Sequence, residues 1–146
     1  MRITHLIAAA ALGALPMVAL PMVATAGETP SPAGAEVYFI GLEDGATVSN
    51  PVTLRFGAKG IGIAPAGIEK ENTGHHHLII NEAIEGEELE FSIPADDQHI
   101  HFGGGQTEVT MDLPAGTHTI QLVMADHNHI PHNPPIMSDR LTITVE

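Results

Sequence analysis

The chain has 146 residues, with 18 Asp or Glu against five Lys or Arg, ten His, no Cys, no Trp and a formal charge of −13. This length suits one ordinary domain with its own core, and the lack of any Lys/Arg patch excludes nucleic acid as a partner, since phosphate backbones are held by clustered cations. Without cysteine there is neither a disulfide framework nor a thiolate ligand, so a metal site would have to be built of imidazole, carboxylate or thioether.

At the N-terminus, Arg2 and His5 precede an uncharged run from Leu6 to Val23, rich in Ala and Leu, that ends at Ala24-Thr25-Ala26. A positive start, an apolar stretch and an A-x-A ending describe a secretory signal peptide over residues 1–26, which predicts a periplasmic or secreted chain beginning at Gly27. About 18 apolar residues also approach the length of a transmembrane anchor. Pro16, Pro21 and the A-x-A ending argue against that, so no membrane span is expected after cleavage. Over residues 27–146 four cations, Arg55, Lys59, Lys70 and Arg140, face all 18 acidic residues, a formal −14, and such a surface concentrates cations around it.

Residues 27–34, GETPSPAG, read as a linker. From residue 35 the chain is a series of short alternating runs separated by Gly, Pro, Asn and Asp. Glu36 to Ile40 is the first strand, and Glu43-Asp44-Gly45 a turn. Val52, Leu54 and Phe56 alternate with Thr53 and Arg55, as one buried and one wet face require. Gly57 to Gly74 is a longer loop, and His76 to Ile80 a buried strand. Ile84 to Glu90 is compatible with a loop or a turn of helix, and Glu88 to Ile93 with a short strand stopped by Pro94. Val109, Met111 and Leu113 form the next inward face, followed by a turn at Pro114-Ala115-Gly116. Ile120, Leu122 and Met124, then Leu141, Ile143 and Val145, complete the set. About seven strands with frequent turn signals predict an all-β fold, an immunoglobulin-like antiparallel β-sandwich over residues 35–146.

Nine histidines fall within residues 27–146, more than twice the number of Lys and Arg there. Residues i and i+2 of an extended chain share a face about 6.5 to 7 Å apart. Two imidazoles so placed can lean onto one ion, to which each would bond at about 2.0 to 2.1 Å. His75/His77, His99/His101 and His127/His129 have this spacing, and His129 and His132 flank a bend stiffened by Pro131. These seven are the candidate ligands. His76 shares parity with Leu78 and Ile80 and reads as structural. His118 shares parity with Ile120, Leu122 and Met124 and reads as a core-edge residue bonded to a carbonyl. Asp126 is a candidate outer acceptor for an imidazole.

All-imidazole sites suit Cu, Zn, Ni and Fe, and among divalent ions Cu(II) binds tightest. Met124 and Met137 flank the last cluster and would add soft character, although both also read as packing residues. Copper is therefore the first expectation and zinc the second. No catalytic residue emerges: there is no G-x-S-x-G, and Gly103-Gly104-Gly105 is followed by no helix, so it reads as a flexible loop rather than a phosphate cradle.

Gly74-His-His-His-Leu-Ile-Ile80, His101-Phe-Gly-Gly-Gly-Gln-Thr107, Leu113 to Leu122 (LPAGTHTIQL) and Asp126-His-Asn-His-Ile-Pro-His132, with Glu43 to Val48 and Gly60 to Pro65, together resemble domain of unknown function 4399, a family of small secreted bacterial domains. The likeness spans residues 35–146 and implies no established activity. Some relatives carry a rod-shape-determining label, which a single exported domain without a bundle of membrane helices does not support. In shape, size and His/Met content the chain is also similar to periplasmic carriers of the copper-resistance type. It departs from those that use a terminal histidine, since the expected first residue is Gly27.

The sequence thus predicts a non-enzymatic, exported metal-binding protein that buffers or delivers copper or zinc through loop histidines at one end of a sandwich, with a possible periplasmic protein partner. Two rivals are an interaction module of the cell envelope braced by its histidines, and a copper-dependent, dismutase-like redox enzyme.

Overall fold

The computed structural model describes residues 27–146, so the expected signal peptide lies outside the described residues. Ten strands run in chain order: β1 (Glu36–Phe39), β2 (Thr47–Val48), β3 (Val52–Lys59), β4 (Gly62–Ile63), β5 (Thr73–Ile80), β6 (His99–His101), β7 (Glu108–Met111), β8 (Gly116–Ala125), β9 (Pro131–Met137) and β10 (Leu141–Val145). A small antiparallel sheet has the order β1-β3-β7. A larger sheet has the order β2-β10-β8-β5-β4, with β6 added to β5 and β9 to β8. The fold is an all-β sandwich.

The alternation legible in the sequence accounts for the inter-sheet core. Leu54 and Phe56 of β3 and Val37 of β1 meet Leu78 and Ile80 of β5, Ile120, Leu122 and Met124 of β8, and Ile143 and Val145 of β10, all buried. Each such side chain withdrawn from water contributes on the order of 1.5–3 kcal/mol, which offsets the entropy of ordering the chain.

Three local expectations are corrected. Glu88 to Ile93 is not a strand: Gly86–Glu90 makes one turn of 3-10 helix. Ile84 and Ile93 on either side of it pack on Ile79, Val123 and Ala125, forming a second apolar cluster on the outer face of the larger sheet. Covered on both faces, β5 is buried almost throughout, which explains why His76 to Ile80 lacks a wet position. His99 and His101, and Pro131 and His132 at the end of the proline-stiffened loop, were expected in loops but lie in strands, because β5 and β8 have free edges there. Finally, residues 27–34 do not behave as a free linker. Thr29 and Ser31 exchange backbone hydrogen bonds with Asn133 (2.9 Å each), and the Gly27 N–H donates to Leu89 O (3.1 Å).

Candidate metal centre

Strand alternation sends His76, Leu78 and Ile80 of β5 into the inter-sheet core, and His75, His77 and Ile79 to the outer face. β6 pairs with β5 so that His101 stands opposite His77, and cross-strand partners share a face. A fourth imidazole arrives from the connection between β8 and β9, where His129 has the left-handed backbone φ of +66°. Non-glycine residues are uncommon in that region and are held there only by their surroundings.

Those surroundings are built by Asp126. Its Oδ1 accepts the N–H groups of Asn128 (2.8 Å) and Ile130 (3.1 Å), and its Oδ2 accepts the Thr29 hydroxyl (2.6 Å). The His129 N–H donates to Asp126 O (3.0 Å), and His129 O accepts from Ile93 (2.9 Å). Burial pushes the Asp126 carboxyl up, but the Thr29 hydroxyl and the two N–H donors outweigh it and hold the group below the usual carboxylate range. Asp126 therefore shapes the loop that carries an imidazole rather than touching the imidazole itself, and Thr29, from the supposed linker, helps to hold it.

One ring nitrogen from each of His75, His77, His101 and His129 lies within 4.8 Å of the others. His75 Nε2 is 3.1 Å from His77 Nε2 and also 3.1 Å from His129 Nδ1. The rings of His101 and His129 are edge to face, 4.4 Å between centroids. His75 and His77 are buried and form the floor; His129 is half-buried and His101 exposed, and these form the mouth.

An imidazole nitrogen carries either one proton or one lone pair in the ring plane. His75 Nε2, flanked by two other nitrogens, satisfies only one of them. The remaining contact is at best a share of a three-centre bond, weaker than a full one. Protonating the cluster does not relieve this: burial first, then the neighbouring imidazoles, push His77 down to about 2 and His75 down to about 4. Burial and then His129 also lower His101. At neutral pH the floor rings are uncharged and offer lone pairs. Nδ1 of His75 and of His77 is buried without a hydrogen-bond partner, so neither ring is pinned from behind as ligating imidazoles usually are.

Gly103, read from the sequence as part of a flexible loop, has a packing role in the structure. A methyl group on it would overlap Cε1 and Nε2 of His101, so only glycine leaves room for that ring. Gly103→Ala is expected to turn His101 out of the cluster and weaken metal binding roughly tenfold, about 1.4 kcal/mol, while the unfolding midpoint in urea stays near wild type.

The other expected ligands lie elsewhere. His99 is on the same face but is held by Asp96, its Nδ1 donating to Oδ1 at 2.8 Å. His127 points off the loop and accepts from Asn128 Nδ2 at 2.9 Å. His132 is fully buried between the carbonyls of Met124 (3.4 Å) and Thr73 (3.2 Å) and braces β8 to β5. His118 donates to Pro114 O (2.7 Å) and accepts from Asn81 (3.0 Å), the carbonyl-bonded role read from its parity. His76 packs on Phe56, and neither of its nitrogens has a partner in hydrogen-bonding geometry. Burial pushes it down to about 4, which the backbone of Gly57 and Gln106 offsets only in part. Met124 lies in the inter-sheet core and Met137 packs against the outer apolar cluster, so both have the packing role that their sequence positions also allowed. The expected picture of loop histidines also changes: three of the four sit on strands.

The profile of the family described as "Domain of unknown function (DUF4399)" matches residues 54–146. The chain belongs to that family. The matched stretch includes His75, His77, His101 and His129, so the whole cluster lies within the family domain. No curated protein and no solved structure matches the chain.

Proposed function

We propose that this DUF4399 protein is an exported binding protein for a transition metal, copper first and zinc second, held by His75, His77, His101 and His129. The convergence of four uncharged-capable imidazoles from three separate segments supports this reading most directly. Two nitrogens on one tetrahedral ion with bonds of the usual length stand ~3.3 Å apart. The 3.1 Å contacts at His75 are close to that figure, and a cation at their centre would take up a lone pair from each ring where one proton has to be shared. An exposed mouth of His101 and His129 suits exchange with a partner, and so a role in buffering or delivery rather than turnover. With both methionines packed in apolar clusters, the preference for copper is argued from imidazole alone.

Calorimetric titration with Cu(II) and Zn(II) tests the proposal. Binding weaker than ~10 μM, about 7 kcal/mol, would end it, because chance pairs of surface imidazoles account for that much.

The rival reading, in which histidines brace loops, has real support at His118 and His132. His129 separates the two. Replacing it by Gly removes a hydrogen bond to His75 worth about 0.5–1.5 kcal/mol and relieves left-handed backbone costing roughly 1–2 kcal/mol. Metal-free His129→Gly is therefore expected to match the wild-type stability within about 1 kcal/mol while losing metal affinity. A brace would show the reverse: lower stability with or without metal.

A further inference from the structure

A second group of titratable residues on the same sheet face is not absorbed by the four-imidazole reading. His99 faces outward from β6 with its side chain only 9% exposed, and Glu82 and Asp96 approach opposite sides of its ring. Asp96 Oδ1 accepts from His99 Nδ1 (2.8 Å) and also from the backbone N–H groups of Gln98 (2.9 Å) and His99 (3.0 Å). These bonds, that from the His99 ring first, hold the Asp96 carboxyl below the usual carboxylate range. An ionised carboxylate only accepts, so the Nδ1 proton is fixed on the Asp96 side.

Nε2 then turns its other valence toward Glu82. The separation from Glu82 Oε2 is 3.5 Å, too long for a good N–H···O bond. It is close to the ~3.3 Å bite of two ligand atoms on one tetrahedral ion with nitrogen and carboxylate bonds of ordinary length. An imidazole nitrogen facing a carboxylate at this distance calls for a positive group between them, which a proton or a metal cation can supply. Carboxylate, imidazole and cation in line is also the arrangement by which metal-bound histidines are commonly oriented from behind. Glu82 and His99 open onto a cavity of about 330 Å³ that is also lined by Glu88, so an ion there has a path from solvent and a further carboxylate nearby.

We propose that His99 Nε2 and Glu82 form a second, weaker site for a divalent cation of the Zn(II) or Cu(II) type, with Asp96 as the positioning residue. Its remaining ligands are solvent or Glu88. The site is separate from the four imidazoles: none of its side chains belongs to that cluster, and neither site needs the other to be filled.

The test is a Zn(II) titration of the full chain at neutral pH, read by calorimetry and by imidazole-nitrogen NMR. Two classes of binding are expected, and the His99 Nε2 signal should move only with the weaker one. His99→Gln and Glu82→Gln each remove the weak class and spare the tight one. Asp96→Asn weakens it by about 10- to 100-fold, the usual effect of losing an outer partner. His77→Gln does the opposite, removing the tight class alone. A wild-type His99 Nε2 signal indifferent to Zn(II) would overturn the second site and leave the four-imidazole proposal standing; that spectrum decides this even if a variant fails to fold. A weak class that survives both His99→Gln and Glu82→Gln is adventitious binding to the acidic surface and overturns it equally. A tight class that persists in His77→Gln, or a wild type whose only binding is abolished by His99→Gln, would sink the four-imidazole reading instead.

Discussion

Exchange of His77 for Gln is expected to reduce the affinity for Cu(II) or Zn(II) by more than ~100-fold, beyond the ~10- to 100-fold that follows loss of a ligand's outer partner. His77 is 1% exposed at the floor of the cluster, in line with His75 and opposite His101, so its loss leaves a buried vacancy at the centre of the ligand set. The consequence extends to stability. A ligand present at 1,000 times its dissociation constant stabilises the folded chain by about 4 kcal/mol. The wild type should show this gain as a metal-dependent rise in thermal midpoint, and the variant should not. Scanning calorimetry with and without metal measures both arms. An unchanged metal-dependent rise in His77→Gln would remove His77 from the site.

The second large effect is loss of stability in acid. Burial lowers His75 and His76 from 6.5 to about 4, and His77 from 6.5 to about 2. Between the lowered value and 6.5 the unfolded chain binds a proton that the folded chain refuses, so stability rises with pH through that window. The contribution is complete above about pH 6.5 and drains away as the pH falls toward 4, and further for His77. A fall from 6.5 to about 4 corresponds to ~3 kcal/mol for His76 alone. With His75 and His77 added, the loss is comparable to the 5–15 kcal/mol typical of a whole domain. The metal-free protein should therefore unfold on acidification between about pH 6 and pH 4. Urea unfolding at a series of pH values checks the slope; a midpoint flat from pH 7 to pH 4 would show that these rings are solvated. Bound metal should shift the acid transition downward, since protons and metal compete for His75 and His77.

Much of the fold was legible because strand alternation is a local property. The inward faces of Val52 to Phe56, Ile120 to Met124 and Leu141 to Val145 were read correctly, as was the structural parity of His76. What failed were segments whose state depends on distant partners. Glu88 to Ile93 has the composition of a strand, yet it caps the outer sheet face because Ile79, Val123 and Ala125 lie exposed beneath it without that cover. His99–His101 and Pro131–Met137 became strands because β5 and β8 present free edges there. GETPSPAG looked like a tether and is instead bonded to β9 and, through Thr29, to Asp126.

For the candidate centre, the sequence by itself narrowed the side chains that could hold a metal to seven histidines. The absence of cysteine excluded thiolate, and the i, i+2 spacing of His75 and His77 put both on one face of an extended strand. The sequence could not choose among the seven candidates. Equivalent spacings at His99/His101 and His127/His129 were each divided, one member joining the cluster and the other bonding to its own neighbours. Tertiary structure made that choice, because convergence on a point is set by sheet register, by the φ of +66° at His129 and by the space left at Gly103, and each of these depends on contacts between residues remote along the chain.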